Sequence, residues 1–205
     1  QWVDRRPDLD RHRIGLYGVS KGGEFAMLAA SHFPWLRAVI GIVPSDVVWE
    51  GWGQARPYGT TSSFAWRGRS LPFTPYVGME EAIAALERGE RRALVAPHLN
   101  GRRDNPARAA AARIKVERFR GAMLVAGGDQ DMTWPSGEMT RAIAERRLGH
   151  GLTTVSLTFP DAGHGLSGTG WSPINYDPAD PTVAGTARAQ KKVWKEVQRF
   201  LSAHL

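Results

Sequence analysis

A chain of 205 residues, 42% of them hydrophobic, is long enough for one domain with a core that buries roughly 70% of the surface exposed when unfolded. Cysteine is absent, which excludes a disulfide framework, a thiolate nucleophile and a cysteine-ligated metal. The formal charge of +7 comes largely from arginine pairs dispersed along the chain, at Arg5/Arg6, Arg91/Arg92, Arg102/Arg103 and Arg146/Arg147. That dispersal, with no recognisable reading module, argues against a nucleic-acid partner. It fits a solvated basic surface, or attraction of an anionic substrate such as a phosphate-bearing thioester carrier.

The chain opens on Gln1 and a charged stretch to Arg13, expected to follow an internal cut in a longer protein. Nothing has the layout of a signal peptide or an apolar run of membrane-spanning length, and a cytoplasmic location is the expectation. Four short apolar runs, at 14–17, 38–43, 122–126 and 154–159, predict buried parallel strands. Helical patterns over 22–33, 135–148 and 186–205 alternate with them. Such a βα repeat predicts an α/β fold, a parallel sheet with helices on both faces.

Between the second and third strands, residues 44–120 form an excursion too long for a plain connection, and a cap insertion is predicted. Its first half holds Trp49, Trp52, Tyr58, Phe64, Trp66, Phe73 and Tyr76. These aromatics either line an acyl or aryl pocket or pack the cap itself, and Trp49 is a candidate substrate-binding residue. Helices are predicted near 79–92 and 106–117.

The most specific local signal is Gly18-Val19-Ser20-Lys21-Gly22, between the first strand and the first helix. A serine on a sharp strand-to-helix turn is the nucleophile elbow of an α/β hydrolase; the plainer reading is a serine capping a helix. In the elbow the flanking glycines admit strained backbone and close approach of neighbouring chain. A serine nucleophile needs a histidine to take its proton and a carboxylate to orient that histidine. The chain order in this fold is serine, acid, histidine.

After the third strand, Gly127-Gly128-Asp129-Gln130-Asp131-Met132-Thr133-Trp134 leaves the sheet at its carboxyl edge, where ligands bind in open α/β folds. The G-x-x-D spacing from Gly128 favours Asp131 as the acid over Asp129, which is expected to accept backbone hydrogen bonds in the turn. Trp134 is a further candidate for contact with substrate. After the fourth strand, His164 stands between Gly163 and Gly165 and is the candidate general base. His12, His32, His98, His150 and His204 lack such a position and read as surface or core residues. No histidine pair has metal-ligand spacing, so no metal is expected. The Lys21 backbone N–H is a candidate oxyanion donor, with a second donor expected from a loop after an earlier strand upstream of Gln1. Strand 14–17 would then be an open edge, able to pair with another strand.

With these loops placed, the chain resembles the carboxyl-terminal catalytic domain of the acyl-CoA thioesterase and bile acid-CoA:amino acid N-acyltransferase family. The resemblance rests on Gly18 through Glu24; Pro44-Ser45 with Val47-Val48-Trp49; Leu71-Pro72-Phe73; Gly128 through Ser136; Ala162-Gly163-His164; and Gly185-Thr186 with Ala189-Gln190. It implies an α/β-hydrolase catalytic domain over residues 1–205, in which Ser20, Asp131 and His164 are nucleophile, acid and base. It also implies an amino-terminal β-sandwich and opening strands upstream of this sequence. The implied activity is hydrolysis of an acyl-CoA to a fatty or other carboxylic acid, with no cofactor beyond the CoA of the substrate. The N-acyltransferase branch uses cysteine at the nucleophile, so Ser20 points to hydrolysis. The alternatives are an ester or lactone hydrolase of the dienelactone-hydrolase type, acyl transfer to an amino acid, and a non-enzymatic hydrolase fragment or interaction module.

Overall fold

A computed structural model describes residues 2–51, 60–89, 94–169 and 182–205. Its central sheet has four strands, β1 (Gly15–Val19), β2 (Ala38–Ile42), β5 (Ala122–Gly128) and β6 (Val155–Phe159), all parallel in the order β1-β2-β5-β6. Each predicted strand is present, with ends shifted by one or two residues. The inner strands β2 and β5 are buried almost throughout, as their unbroken apolar runs require when helices cover both faces.

Side chains alternate across the sheet. Val39, Met123 and Val125 face helices α1 (Lys21–His32) and α5 (Ser136–Leu148), packing with Ala26, Met27, Ala30 and Ile143. Ile40, Ile42, Leu124 and Ala126 face the opposite way, onto Ala189, Val193, Val197 and Phe200 of α6 (Val183–His204). The predicted doubly covered sheet is therefore the architecture observed. Strand β1 lies at the sheet's edge, and among the described residues nothing pairs with its outer side.

The excursion settles over the carboxyl edge of the sheet. It contains the hairpin β3 (Ala65–Trp66) and β4 (Arg69–Ser70), then α2 (Met79–Glu87), α3 (Val95–Asp104) and α4 (Pro106–Ala111). The hairpin turns through Arg67 and Gly68, both with positive φ, the pattern of a two-residue primed turn. Helix α2 stops short of the predicted 92 because Gly89 is left-handed at φ 77°, a conformation that ends helices. Helix α4 stops at Ala111 instead of running to 117. Arg113 instead bridges Val47, and Ile114 N–H donates to the Asp46 carbonyl, so this stretch is extended.

The predicted aromatics divide by role. Phe64 and Phe73 pack on the α1 side of the core, and Trp66 stacks on His32 at 4.5 Å. Trp49 and Tyr76 form a third buried cluster with Trp134, Met79 and Met139, which joins the excursion to the loop after β5. Trp52 and Tyr58, like Arg91/Arg92, lie outside the described residues. Among those described, no helix is long and apolar enough to cross a membrane.

Candidate active site

The chain leaves β1 and enters α1 through Ser20, whose backbone is held at φ 55° and ψ −121°. A positive φ is costly for a non-glycine residue. Anchors on both sides hold it: Ser20 N–H donates to the Ile42 carbonyl at 2.9 Å, and Glu24 N–H to the Ser20 carbonyl at 3.0 Å. A Cβ on Gly18 would overlap the Gly22 carbonyl, and one on Gly23 would stand 3.1 Å from backbone atoms of Ile42 and Pro44. A Cβ on Gly22 would meet nothing within 4 Å. The steric demand on the helix side therefore falls on Gly23 and not on Gly22, the second glycine of the predicted elbow. Gly18→Ala should destabilise the fold by about 1–3 kcal/mol through forced overlap, whereas Gly22→Ala should stay within about 1 kcal/mol of the parent. Urea unfolding of the two variants checks the contrast.

His164 Nε2 lies 2.8 Å from Ser20 Oγ, and its Nδ1 lies 2.8 Å from Asp131 Oδ2. A neutral imidazole that donates through Nδ1–H to the carboxylate leaves Nε2 to accept the serine hydroxyl. The other Asp131 oxygen accepts the backbone N–H groups of Thr133 (2.8 Å) and Trp134 (3.2 Å), which fixes the carboxylate in its turn. Asp129 has a different part from the expected turn acceptor. Its Oδ1 pairs with Arg141 Nη1 of α5 at 2.9 Å.

Helix α6 holds the histidine loop from below. Thr186 Oγ1 accepts Gly163 N–H at 2.9 Å, and Gln190 Nε2 donates to the Gly165 carbonyl at 2.6 Å. Gly185 is needed because any Cβ there would overlap the Asp161 carbonyl. These contacts account physically for Gly185-Thr186 and Gln190 in the terminal motif.

A cavity of about 300 Å³ opens beside Ser20, lined by Lys21, Tyr76, Leu94, His98, Thr133 and Trp134. Of the two candidate substrate-binding tryptophans, Trp134 is on this wall. Trp49, fully buried, lies behind it: its Nε1–H donates to Ser45 Oγ at 2.8 Å and its ring stacks on Tyr76 at 5.7 Å. No sequence signal marks Leu94 and His98 as site residues, because α3 lacks a clear apolar period. Val95 N–H donates to the Met132 carbonyl at 3.1 Å, and this bond docks α3 on the acid loop and brings both residues to the cavity. His98 is a core histidine, as expected, but one at the cavity wall. Burial pushes its pKa down to about 4, so the ring is neutral near pH 7, and Nδ1–H donates to the Leu94 carbonyl at 2.8 Å. Its ring meets Trp134 edge-on at 5.7 Å, and Trp134 in turn meets His164 at 5.9 Å.

Glu24 is the other residue whose contribution no local pattern disclosed. It is wholly buried, its Oε2 pairs with Lys21 Nζ at 2.7 Å, and its Oε1 accepts Trp49 N–H at 3.0 Å. One carboxyl thus ties the excursion to the first turn of the nucleophile helix. Burial raises the Glu24 pKa from 4.5 to about 7 against the pull of Lys21, and burial also lowers that of Lys21. Both partners shift towards neutrality because desolvation outweighs their attraction. The folded state then holds the Glu24 proton more tightly than the unfolded chain. Its contribution to stability is complete below about pH 4.5 and is lost as the pH rises through about 7. Glu24→Gln removes that loss, so the urea midpoint of the variant relative to the parent should climb from pH 5 to pH 8. A difference independent of pH would contradict this assignment.

Among the described residues no three of His, Asp and Glu cluster closely enough to hold a metal ion. A parallel sheet flanked by helices, with a serine at positive φ on the strand-to-helix turn at its carboxyl edge, is the arrangement of the α/β-hydrolase fold. Known folds agree. The acylaminoacyl peptidase of Pyrococcus horikoshii is 15% identical and superposes with a TM-score of 0.57 over 100% of this chain and 26% of its own. A Klebsiella pneumoniae subsp. pneumoniae protein described as a dienelactone hydrolase is 14% identical, with a TM-score of 0.52 over 98% of this chain and 56% of its own. The sequence profile of the BAAT / acyl-CoA thioester hydrolase C-terminal family matches residues 1–174, and the chain belongs to that family. Acyl-coenzyme A thioesterase 1 of Homo sapiens is 26% identical over 212 aligned positions, 97% of this chain and 46% of the human protein. The chain thus spans less than half the length of that relative.

Proposed function

We propose that residues 1–205 form a catalytic domain that hydrolyses acyl-CoA thioesters through an acyl-enzyme on Ser20. The observation that carries this reading is the unbroken relay from Ser20 Oγ through His164 to Asp131, with 2.8 Å at each step, at the mouth of the cavity. Ser20 Oγ attacks the thioester carbonyl carbon as His164 Nε2 accepts its proton. Asp131 holds the imidazole in the required tautomer and stabilises the imidazolium. The Lys21 backbone N–H, at the first position of α1, donates to the developing oxyanion.

Collapse of the tetrahedral intermediate breaks the C–S bond, and His164 returns the proton to the CoA sulfur. Water then attacks the acyl-serine carbonyl, giving its proton to His164 Nε2. The second collapse breaks the ester bond, reprotonates Ser20 Oγ and frees the carboxylic acid. Tyr76, Leu94 and Trp134 offer the acyl group an apolar wall, and the neutral His98 adds no charge there. Family membership supports CoA as the leaving group, and a serine nucleophile supports water as the acceptor.

Thiol release from an acyl-CoA series, run beside aryl-ester hydrolysis and with glycine as an added acceptor, tests the substrate assignment. A higher kcat/KM for the thioesters, with free acid as product, is the expected outcome. Preference for short aryl esters would overturn the CoA assignment, and acyl-glycine as the main product would overturn the acceptor.

A further inference from the structure

At the opposite, amino edge of the sheet lies a second cleft of about 470 Å³. The seven-residue β5, on the order of 20 Å long at roughly 3.3 Å per residue, separates it from the Ser20 cavity. Three arginines, Arg37, Arg120 and Arg147, line it beside His204, its apolar wall includes Met123 and Phe200, and no Asp or Glu lines it.

The charge balance is unusual. Arg147 is 1% exposed, and its guanidinium donates to the carbonyls of Val116, Phe119, Gly121 and Thr153 and to Thr154 Oγ1. All five acceptors are neutral, so its hydrogen bonds are satisfied while its charge is not compensated by a carboxylate. Arg120 adds a like charge close enough to push the Arg147 pKa down further, beyond the effect of burial. Arg37 immediately precedes β2 on the neighbouring strand, and its carbonyl accepts Ala122 N–H at 3.2 Å. Among the described residues neither Arg37 nor Arg120 pairs with a carboxylate, although both are exposed. Like charges gathered around one cleft repel one another and oppose folding. The carbonyl ends of α5 and α6 meet this edge, but roughly half a negative charge from each does not offset three guanidinium groups.

We propose that this cleft is a second, non-catalytic site that binds a diphosphate group, carried either by a nucleotide or as inorganic pyrophosphate. Arg37 and Arg120 supply the charge-assisted hydrogen bonds to the phosphate oxygens, while the buried Arg147 supplies a fixed positive field. The wall at Phe200 and Met123 accommodates a nucleoside if one is attached.

Thermal unfolding of the protein with ADP, with inorganic pyrophosphate and with adenosine, each at matched ionic strength, tests this. A ligand at ten times its Kd should raise Tm by about 3–5 °C for a domain of this size. ADP and pyrophosphate should both do so, with adenosine inert; a shift with ADP alone would identify the nucleotide as the source. Both shifts should vanish in Arg37→Gln/Arg120→Gln, and the single Arg120→Gln should lose most of the effect. Both residues are on the surface, and an unchanged far-UV circular dichroism spectrum and a cooperative thermal transition without ligand would show that the variants are folded. No shift in the parent protein, or an equal shift in the double variant, would overturn the proposal whether or not the Ser20 chemistry holds.

Discussion

Ser20→Ala is expected to lower kcat for acyl-CoA hydrolysis by a factor on the order of 10⁶, because groups that act as a unit lose nearly all their effect when the nucleophile goes. The expectation rests on the His164 Nε2 contact at 2.8 Å from Ser20 Oγ, which has no other basic acceptor in the relay. KM should change little, since the hydroxyl adds little to ground-state binding of an acyl group against Tyr76, Leu94 and Trp134. What activity remains would come from binding and the Lys21 N–H alone. A loss below tenfold would mean that water is activated without an acyl-enzyme, and the mechanism would need a different nucleophile. Fold integrity is separable from this result, because the strain of the elbow lies in the backbone angles of residue 20 and an alanine there keeps the same Cβ.

Asp131→Asn is expected to lower kcat by about 10⁴, whereas Asp129→Asn should leave kcat within about threefold of the parent and cost at most about 1 kcal/mol of stability. The two aspartates differ in what they hold. Asp131 accepts from His164 on one oxygen and from Thr133 and Trp134 N–H groups on the other. An asparagine that kept its carbonyl oxygen on those backbone donors would turn its NH₂ group towards Nδ1. The ring would then be favoured as the Nε2–H tautomer, with no lone pair for the serine proton. Asp129 instead makes an exposed pair with Arg141, the kind of contact that contributes little. Steady-state hydrolysis of one acyl-CoA by the three proteins decides between them, and comparable losses in both variants would contradict the assignment of Asp131.

The elements and loops that sequence could disclose are those whose demands are local. Apolar runs of strand length marked β1, β2, β5 and β6, and the elbow announced itself through glycines beside a serine at a strand-to-helix boundary. The G-x-x-D spacing favours Asp131 over Asp129, and Asp131 is the aspartate within 2.8 Å of His164 Nδ1. Features that depend on distant partners were not legible. Glu24 is one residue in a helix until Trp49, 25 positions away, donates to it. Helix α3 has too little apolar periodicity to be read, because the positions it buries are Pro97, His98 and Gly101, none of them a large aliphatic residue. Its placement depends on the Val95–Met132 bond. Trp49 and Trp134 looked equivalent as aromatics near the site, and only the buried Ser45 contact shows that Trp49 is a supporting ring behind the wall.

Arginine pairs along a sequence look dispersed, yet Arg37, Arg120 and Arg147 converge because the parallel sheet gathers the starts of β2 and β5 and the end of α5 at one edge. Register determines this: Ala38 stands beside Ala122, and so the residues just before each strand become neighbours.

The most direct test of the central claim is stoichiometric. The protein is titrated with a fluorophosphonate, Ser20 phosphonylation is quantified by peptide mass spectrometry, and residual acyl-CoA hydrolysis is measured on the same samples. A Ser20 acyl-enzyme predicts that hydrolysis falls linearly with the fraction of Ser20 modified and vanishes when modification is complete. Acyl-CoA hydrolysis that persists with Ser20 fully phosphonylated would contradict it.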